Sequence, residues 1–210
     1  MRFSATVLIL AVCLLAISLP SAAQNESFTM YADSTMDGND GTLMRIDEGG
    51  VPEATGFLFD DGGMARVYAI RGAGMSWEVL PGSQFLCPLN SMSISDSWRS
   101  LDEDGDATTS TVVAQESITV PAGTFPCYRI EVVKDIAPST VIQEVWFSDG
   151  VGLVKQTDIF PDPWVSVLFS YQVNAGSGFF PLGAGNIWNY QDVTTPVESK
   201  TWGAVKALYE

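Results

Sequence analysis

The 210-residue sequence contains no histidine, and only 10 lysines and arginines stand against 25 aspartates and glutamates. Without histidine there is no imidazole to activate a serine or cysteine, ligate a metal or shuttle a proton near neutral pH. With a formal net charge of −15 there is no basic field to hold nucleic-acid phosphates. Cysteine is scarce, three residues in all. No G-x-S-x-G motif occurs. Gly72-Ala73-Gly74 and Gly183-Ala184-Gly185 are G-x-G fragments with no helix pattern after them, so they read as turns and not as phosphate loops.

What is present is apolar surface. Hydrophobic residues make up 46% of the chain and charged residues only 17%, which excludes a disordered acidic tail. The chain opens on Met1-Arg2-Phe3, followed by an apolar run from Val7 to Leu19 and the small residues Ser21-Ala22-Ala23 before Gln24. That order of basic start, apolar run and small-residue cleavage site is the pattern of a secretory signal peptide. The run is shorter than the ~20 apolar residues a membrane span needs. The reading is therefore a signal peptide over 1–23 and a single β-rich domain over 24–210. The protein is expected in the periplasm, at the cell surface or secreted, with no transmembrane segment after signal removal.

Cys87 and Cys127 follow the signal segment. In an oxidising compartment an even pair is expected to form a disulfide, the alternative being two buried free thiols. A cysteine nucleophile is disfavoured for want of a histidine.

The rest reads as strands and turns. Asp37-Gly38-Asn39-Asp40-Gly41, Glu48-Gly49-Gly50 and Asp60-Asp61-Gly62-Gly63 are dense in residues that tolerate positive φ. Met75 to Leu80 reads as a short strand ended by Pro81-Gly82. Val112, Ala114, Ile118 and Val120 recur at even spacing, Pro121-Ala122-Gly123 turns the chain, and Tyr128, Ile130 and Val132 share the next face. Val165, Val167, Phe169, Tyr171 and Val173 alternate without a break. Helix signals are confined to the C-terminus, where Thr201 can cap a short helix carrying Trp202, Val205 and Tyr209. The expected fold is all-β: one antiparallel sheet curled into a half-barrel or barrel, with a β-sandwich as the alternative.

Ile118-Thr119-Val120-Pro121-Ala122-Gly123-Thr124-Phe125, then Cys127, Trp146 and Gly150-Val151-Gly152-Leu153-Val154-Lys155, form a recognisable series. It resembles exported bacterial β-rich domains of largely unknown function, including those called TapB-like. The likeness runs from about Asp96 to Lys155, with a second piece at Phe180 to Tyr190 that in such families usually precedes the hairpin. The resemblance implies a β-rich exported domain and supplies no catalytic set.

Three constellations are candidates for chemistry. Asp102, Asp104 and Asp106 alternate as in the start of an acidic calcium loop, but Ala107 stands where such a loop wants glycine and Val113 where it wants glutamate. The other reading is a solvated hairpin tip, and Asp37 to Gly41 has the same two readings. Among the strand carboxylates Glu116, Glu131 and Glu144, Glu116 shares its phase with apolar neighbours, so it is edge-exposed, paired with a base, or functional. Trp164, in Phe160-Pro161-Asp162-Pro163-Trp164, is the tryptophan best placed in a loop to stack on a ligand.

The expected function is a non-enzymatic binding or accessory module, with an aromatic-lined concave surface for an apolar or saccharide ligand or a partner chain. The alternatives are a structural or adhesive surface module with calcium in its acidic turns, and a carboxylate-dependent hydrolase. No cofactor other than calcium is implied, and no nucleic-acid partner.

Overall fold

The computed structural model describes residues 25–101, 107–134, 140–159 and 164–193. The expected signal segment, the C-terminal helix and Asp102, Asp104 and Asp106 lie outside the described residues. Among the described residues twelve strands follow one another: β1 (Asn25–Met36), β2 (Asn39–Glu48), β3 (Val51–Asp61), β4 (Met64–Gly72), β5 (Glu78–Pro88), β6 (Ser97–Leu101), β7 (Ala107–Val120), β8 (Gly123–Lys134), β9 (Thr140–Ser148), β10 (Gly152–Asp158), β11 (Trp164–Gln172) and β12 (Ile187–Asp192).

All twelve belong to one antiparallel sheet. Each strand pairs with its neighbour in sequence, with one exception and one addition. β5 and β6 do not pair and form the two edges, while β1 pairs with β12 in the middle of the sheet. The edges are therefore consecutive in the chain, and the sheet curls until β5 and β6 lie against each other without a hydrogen-bonded ladder. The curled, unclosed sheet is the architecture expected from the sequence.

Local chemistry explains the meander. The turns Asp37-Gly38, Gly49-Gly50 and Gly62-Gly63 have positive φ at both positions, the two-residue geometry whose twist matches that of paired strands. The Pro121-Ala122 turn falls between β7 and β8 as expected. One expectation is corrected. Pro81-Gly82 does not end a strand; β5 runs through it, and the register to β4 shifts between Val67 and Ala69. An edge strand tolerates proline because one side of its backbone needs no ladder donor.

The concave side of the sheet is filled. Phe28, Met30, Met44, Ile46, Leu58, Val67, Ile130, Leu168, Trp188 and Tyr190 are buried there in one cluster. The segment between β11 and β12 adds Phe179 and Phe180 to it. Its backbone is tied to both halves of the sheet: Phe179 N–H donates to the Leu89 carbonyl at 2.8 Å, and Gly150 N–H donates to the Gly178 carbonyl at 2.9 Å. Gly178 has φ +82°, and a Cβ there would overlap the Leu89 carbonyl, so only glycine permits this crossing. A smaller cluster of Phe57, Phe59 and Ala69 is buried on the opposite face of β3 and β4, beneath Leu43, Tyr68 and Trp77.

Candidate functional site

Two acidic constellations occupy opposite ends of β1 and β2. The first is an open cleft of about 480 Å³ beside the β1–β2 hairpin. Asp33, Thr35, Asp40, Thr42 and Asp60 line it, and Phe59 and Leu182 supply apolar walls. Register explains the convergence. Asp33 stands opposite Thr42, and Thr35 opposite Asp40, so the four side chains share one face of the hairpin. Each carboxylate holds one protein donor: Thr35 Oγ1 donates to Asp40 at 2.7 Å, Thr42 Oγ1 to Asp33 at 3.4 Å, and Gly63 N–H to Asp60 at 2.6 Å. Each of these carboxylates has acceptor capacity beyond that one bond. No lysine or arginine lines it. Gly41 forms part of the wall, where a Cβ would collide with the Leu58 carbonyl, the Phe57 ring and the Phe59 Cβ.

The second constellation caps the interior at the other end. Gln143 of β9, Asp158 and Gln156 of β10, Trp164 and Ser166 of β11, Asp192 of β12, Glu26 of β1 and Glu48 of β2 lie on the core-facing side. The pairs Gln143–Asp158, Asp158–Trp164, Gln156–Ser166, Ser166–Asp192 and Glu26–Glu48 are direct cross-strand partners. Glu26 is 4% exposed and Asp158 2% exposed. The Gln143 amide donates to Asp158 Oδ1 at 2.7 Å, and the Gln156 amide does so at 3.3 Å. The Ser166 hydroxyl and Asp192 Oδ1 are buried without a hydrogen-bond partner among the described residues.

Burial governs the charges in this row. Glu26 is pushed up to about 8, first by loss of solvation and then by repulsion from Asp192, Glu48 and Asp158. Burial raises Asp158, while its bonds from Gln143 and Gln156 act the other way. Asp192 is also raised by burial, against a hydrogen bond from the Trp164 indole. Glu48 is raised by desolvation, then by Glu53 and Asp192.

The residues singled out in the sequence fall elsewhere or take other roles. Trp164 is the half-buried first residue of β11 and holds Asp192, in place of an exposed stacking surface in a loop. Glu116 accepts the Trp146 indole N–H at 2.7 Å and lies 3.7 Å from Arg129, which also binds Glu144 at 2.7 Å. Of the three readings given for Glu116, pairing with a base is the one observed. A register shift between Val112 and Ala114 moves it out of phase with Val112.

The expected Cys87–Cys127 disulfide is not formed. Both residues are buried free thiols. They sit on β5 and β8, which the strand order places on opposite sides of the seam with β6 and β7 intervening. A disulfide requires Cα atoms within about 7 Å. Burial raises Cys87 far above the ordinary thiol range, and burial with the Glu116 charge pushes Cys127 up to about 12, so neither is a thiolate nucleophile.

Glu26, Asp158 and Asp192 were not among the candidates read from the sequence. The one available signal was a carboxylate in phase with core residues, as Glu26 is with Phe28 and Met30.

Residues 83–159 match the family model described as DUF3108-like, an uncharacterised domain family. The match covers the stretch that carries the V-P-A-G-T-F and G-V-G-L-V-K motifs, and it agrees with a β-rich domain of unknown function. No curated protein and no solved structure matches the chain.

Proposed function

We propose that this chain is an exported, non-enzymatic binding module whose acidic cleft receives a cationic group, presented by a small amine or by a basic side chain of a partner. The carrying observation is the lining: Asp33, Asp40 and Asp60 with spare acceptor lone pairs and no basic residue among them. A wall of three carboxylates without a basic residue favours a cation, such as an ammonium or guanidinium, and repels anions. Phe59 and Leu182 would contact the alkyl stem behind the charge. The apolar or saccharide ligand anticipated for the concave face finds less support, because Phe179 and Phe180 already fill that face. The export signal pattern and the absence of histidine support the compartment and the lack of catalysis.

Calorimetry with spermidine, a Lys-Arg peptide and a neutral disaccharide tests this. The cations should bind, with affinity falling as salt rises. Asp33→Asn with Asp60→Asn should weaken binding by about tenfold, the scale of lost charge-assisted hydrogen bonds. Preference for the disaccharide, or affinity unaffected by the double substitution, would overturn the reading.

A further inference from the structure

We propose that removal of residues 1–23 completes the fold: the α-ammonium group it creates on Gln24 pairs with the Asp192 carboxylate and clasps the first strand to the last. The proposal rests on reading residues 1–23 as a cleaved signal peptide.

Register carries the argument. β1 and β12 run antiparallel, from Asn25 opposite Gln191 to Thr29 opposite Ile187. Gln24 itself lies outside the described residues. The same register taken one step back sets position 24 opposite Asp192, the last residue of β12. Direct antiparallel partners have Cα atoms about 4.5–5.5 Å apart. An aspartate side chain and a chain-terminal nitrogen can span that gap. Cleavage after Ala23 therefore makes the new positive charge at the backbone position across from Asp192.

Asp192 is short of a donor. The Trp164 indole bonds it from β11, yet its Oδ1 is buried with no hydrogen-bond partner among the described residues. Ser166, its register partner on β11, is 4% exposed, and its hydroxyl is equally without one. An ammonium brings three donors, enough for the carboxylate and the Ser166 oxygen together. The charges that act on Glu26 are Asp192, Glu48 and Asp158, and those on Glu48 are Glu53 and Asp192, all negative. The Gln143 and Gln156 amides beside Asp158, and Tyr190 opposite Glu26, are neutral. A cation is what such a set lacks. In the uncleaved chain the same nitrogen is an uncharged peptide N–H, so the pair becomes available only on cleavage. It then closes the end of the ladder that joins the β1–β5 half of the described sheet to the β6–β12 half.

Intact mass of the protein recovered after export should show a chain that starts at residue 24. Another start ends the signal-peptide reading and the clasp together. Glutaminyl cyclase then converts Gln24 to a pyroglutamyl lactam: the α-nitrogen bonds to the side-chain carbonyl carbon, ammonia leaves, and the positive charge is lost. In urea near neutral pH the cyclised form should have an unfolding constant about tenfold larger than the free form, the scale of one charge-assisted hydrogen bond. In Asp192→Asn the two forms should agree within about twofold. That variant also relieves repulsion on Glu26, so the difference between its two forms is the quantity read. Gln24→Ser keeps a free amine that cannot cyclise. Followed by NMR, that amine should titrate above its ordinary range of about 7.7–8.0, because a paired ammonium holds its proton. Its stabilisation is then complete below that range and is lost as pH rises through the raised value. A chain that starts at residue 24 but is equally stable in both forms, with an amine titrating in the ordinary range, overturns the clasp and leaves the signal peptide standing. A difference that persists in Asp192→Asn assigns the ammonium to another partner and overturns it as well.

Discussion

Asn186 and Ala175 exchange hydrogen bonds in both directions. The Ala175 N–H donates to Asn186 Oδ1 at 3.0 Å, and Asn186 Nδ2 donates to the Ala175 carbonyl at 2.7 Å. The same fully buried side chain accepts from Asn174 N–H at 2.7 Å and donates to the Pro181 carbonyl at 3.0 Å. One amide thus satisfies four backbone groups of the segment that carries Phe179 and Phe180 into the core. Its own backbone joins that segment to the sheet, because Met30 N–H donates to the Asn186 carbonyl at 2.9 Å.

Asn186→Ala leaves those backbone groups unpaired, the Pro181 carbonyl in a fully buried position and the others partly buried. The expected loss is about 3–4 kcal/mol in urea unfolding, since each orphaned buried group costs about 1–3 kcal/mol before relaxation. Asn186→Asp keeps the acceptor and loses both donors, so it should also destabilise. A loss below 1 kcal/mol for the alanine variant would show that the segment holds its place by apolar packing alone.

The two thiols give a second test. In the folded protein a thiol reagent should label neither Cys87 nor Cys127, because both are fully buried and protonated. Once the chain is denatured without reductant, both should react. Reductant should leave the melting temperature unchanged. A chain that titrates no thiol in denaturant would carry the disulfide that the strand order argues against.

Asp158 tests the buried row by substitution. Asp158→Ala strips two amides, Gln143 and Gln156, of a buried acceptor, and should cost about 2–4 kcal/mol in acid and less as pH rises. Asp158→Asn retains an acceptor oxygen and cannot ionise. Because burial raises Asp158 above its ordinary value, the wild type loses stability as pH rises through the raised value. The asparagine variant should therefore match it in acid and gain relative to it above neutrality. Chemical denaturation at pH 4 and pH 8 checks the sign, and a gain confined to acid would refute it.

Several features were legible in the residues alone. Glycine pairs at Gly49-Gly50 and Gly62-Gly63 announce their turns because positive φ is a local property of the backbone. Period-2 alternation located the central hairpin because side chains on a strand point to alternate faces. Neither signal reports which strands become edges, since an edge is a relation among strands far apart in the chain. That relation decided the fate of Cys87 and Cys127, and of Pro81 within an edge strand.

The bulge between Val112 and Ala114 shows the limit of period counting. One extra residue reversed the phase of everything after it, and Glu116 left the face its spacing assigned. Glu26 and Asp192 were invisible for a deeper reason. They are 166 positions apart, and their mutual repulsion exists only because the first strand pairs with the last. By itself the sequence determined the all-β class, the hairpin turns, the lack of histidine chemistry and the acidic charge. The tertiary structure decided which acids lost their water and which kept it, because solvation depends on three-dimensional neighbours and on no local pattern.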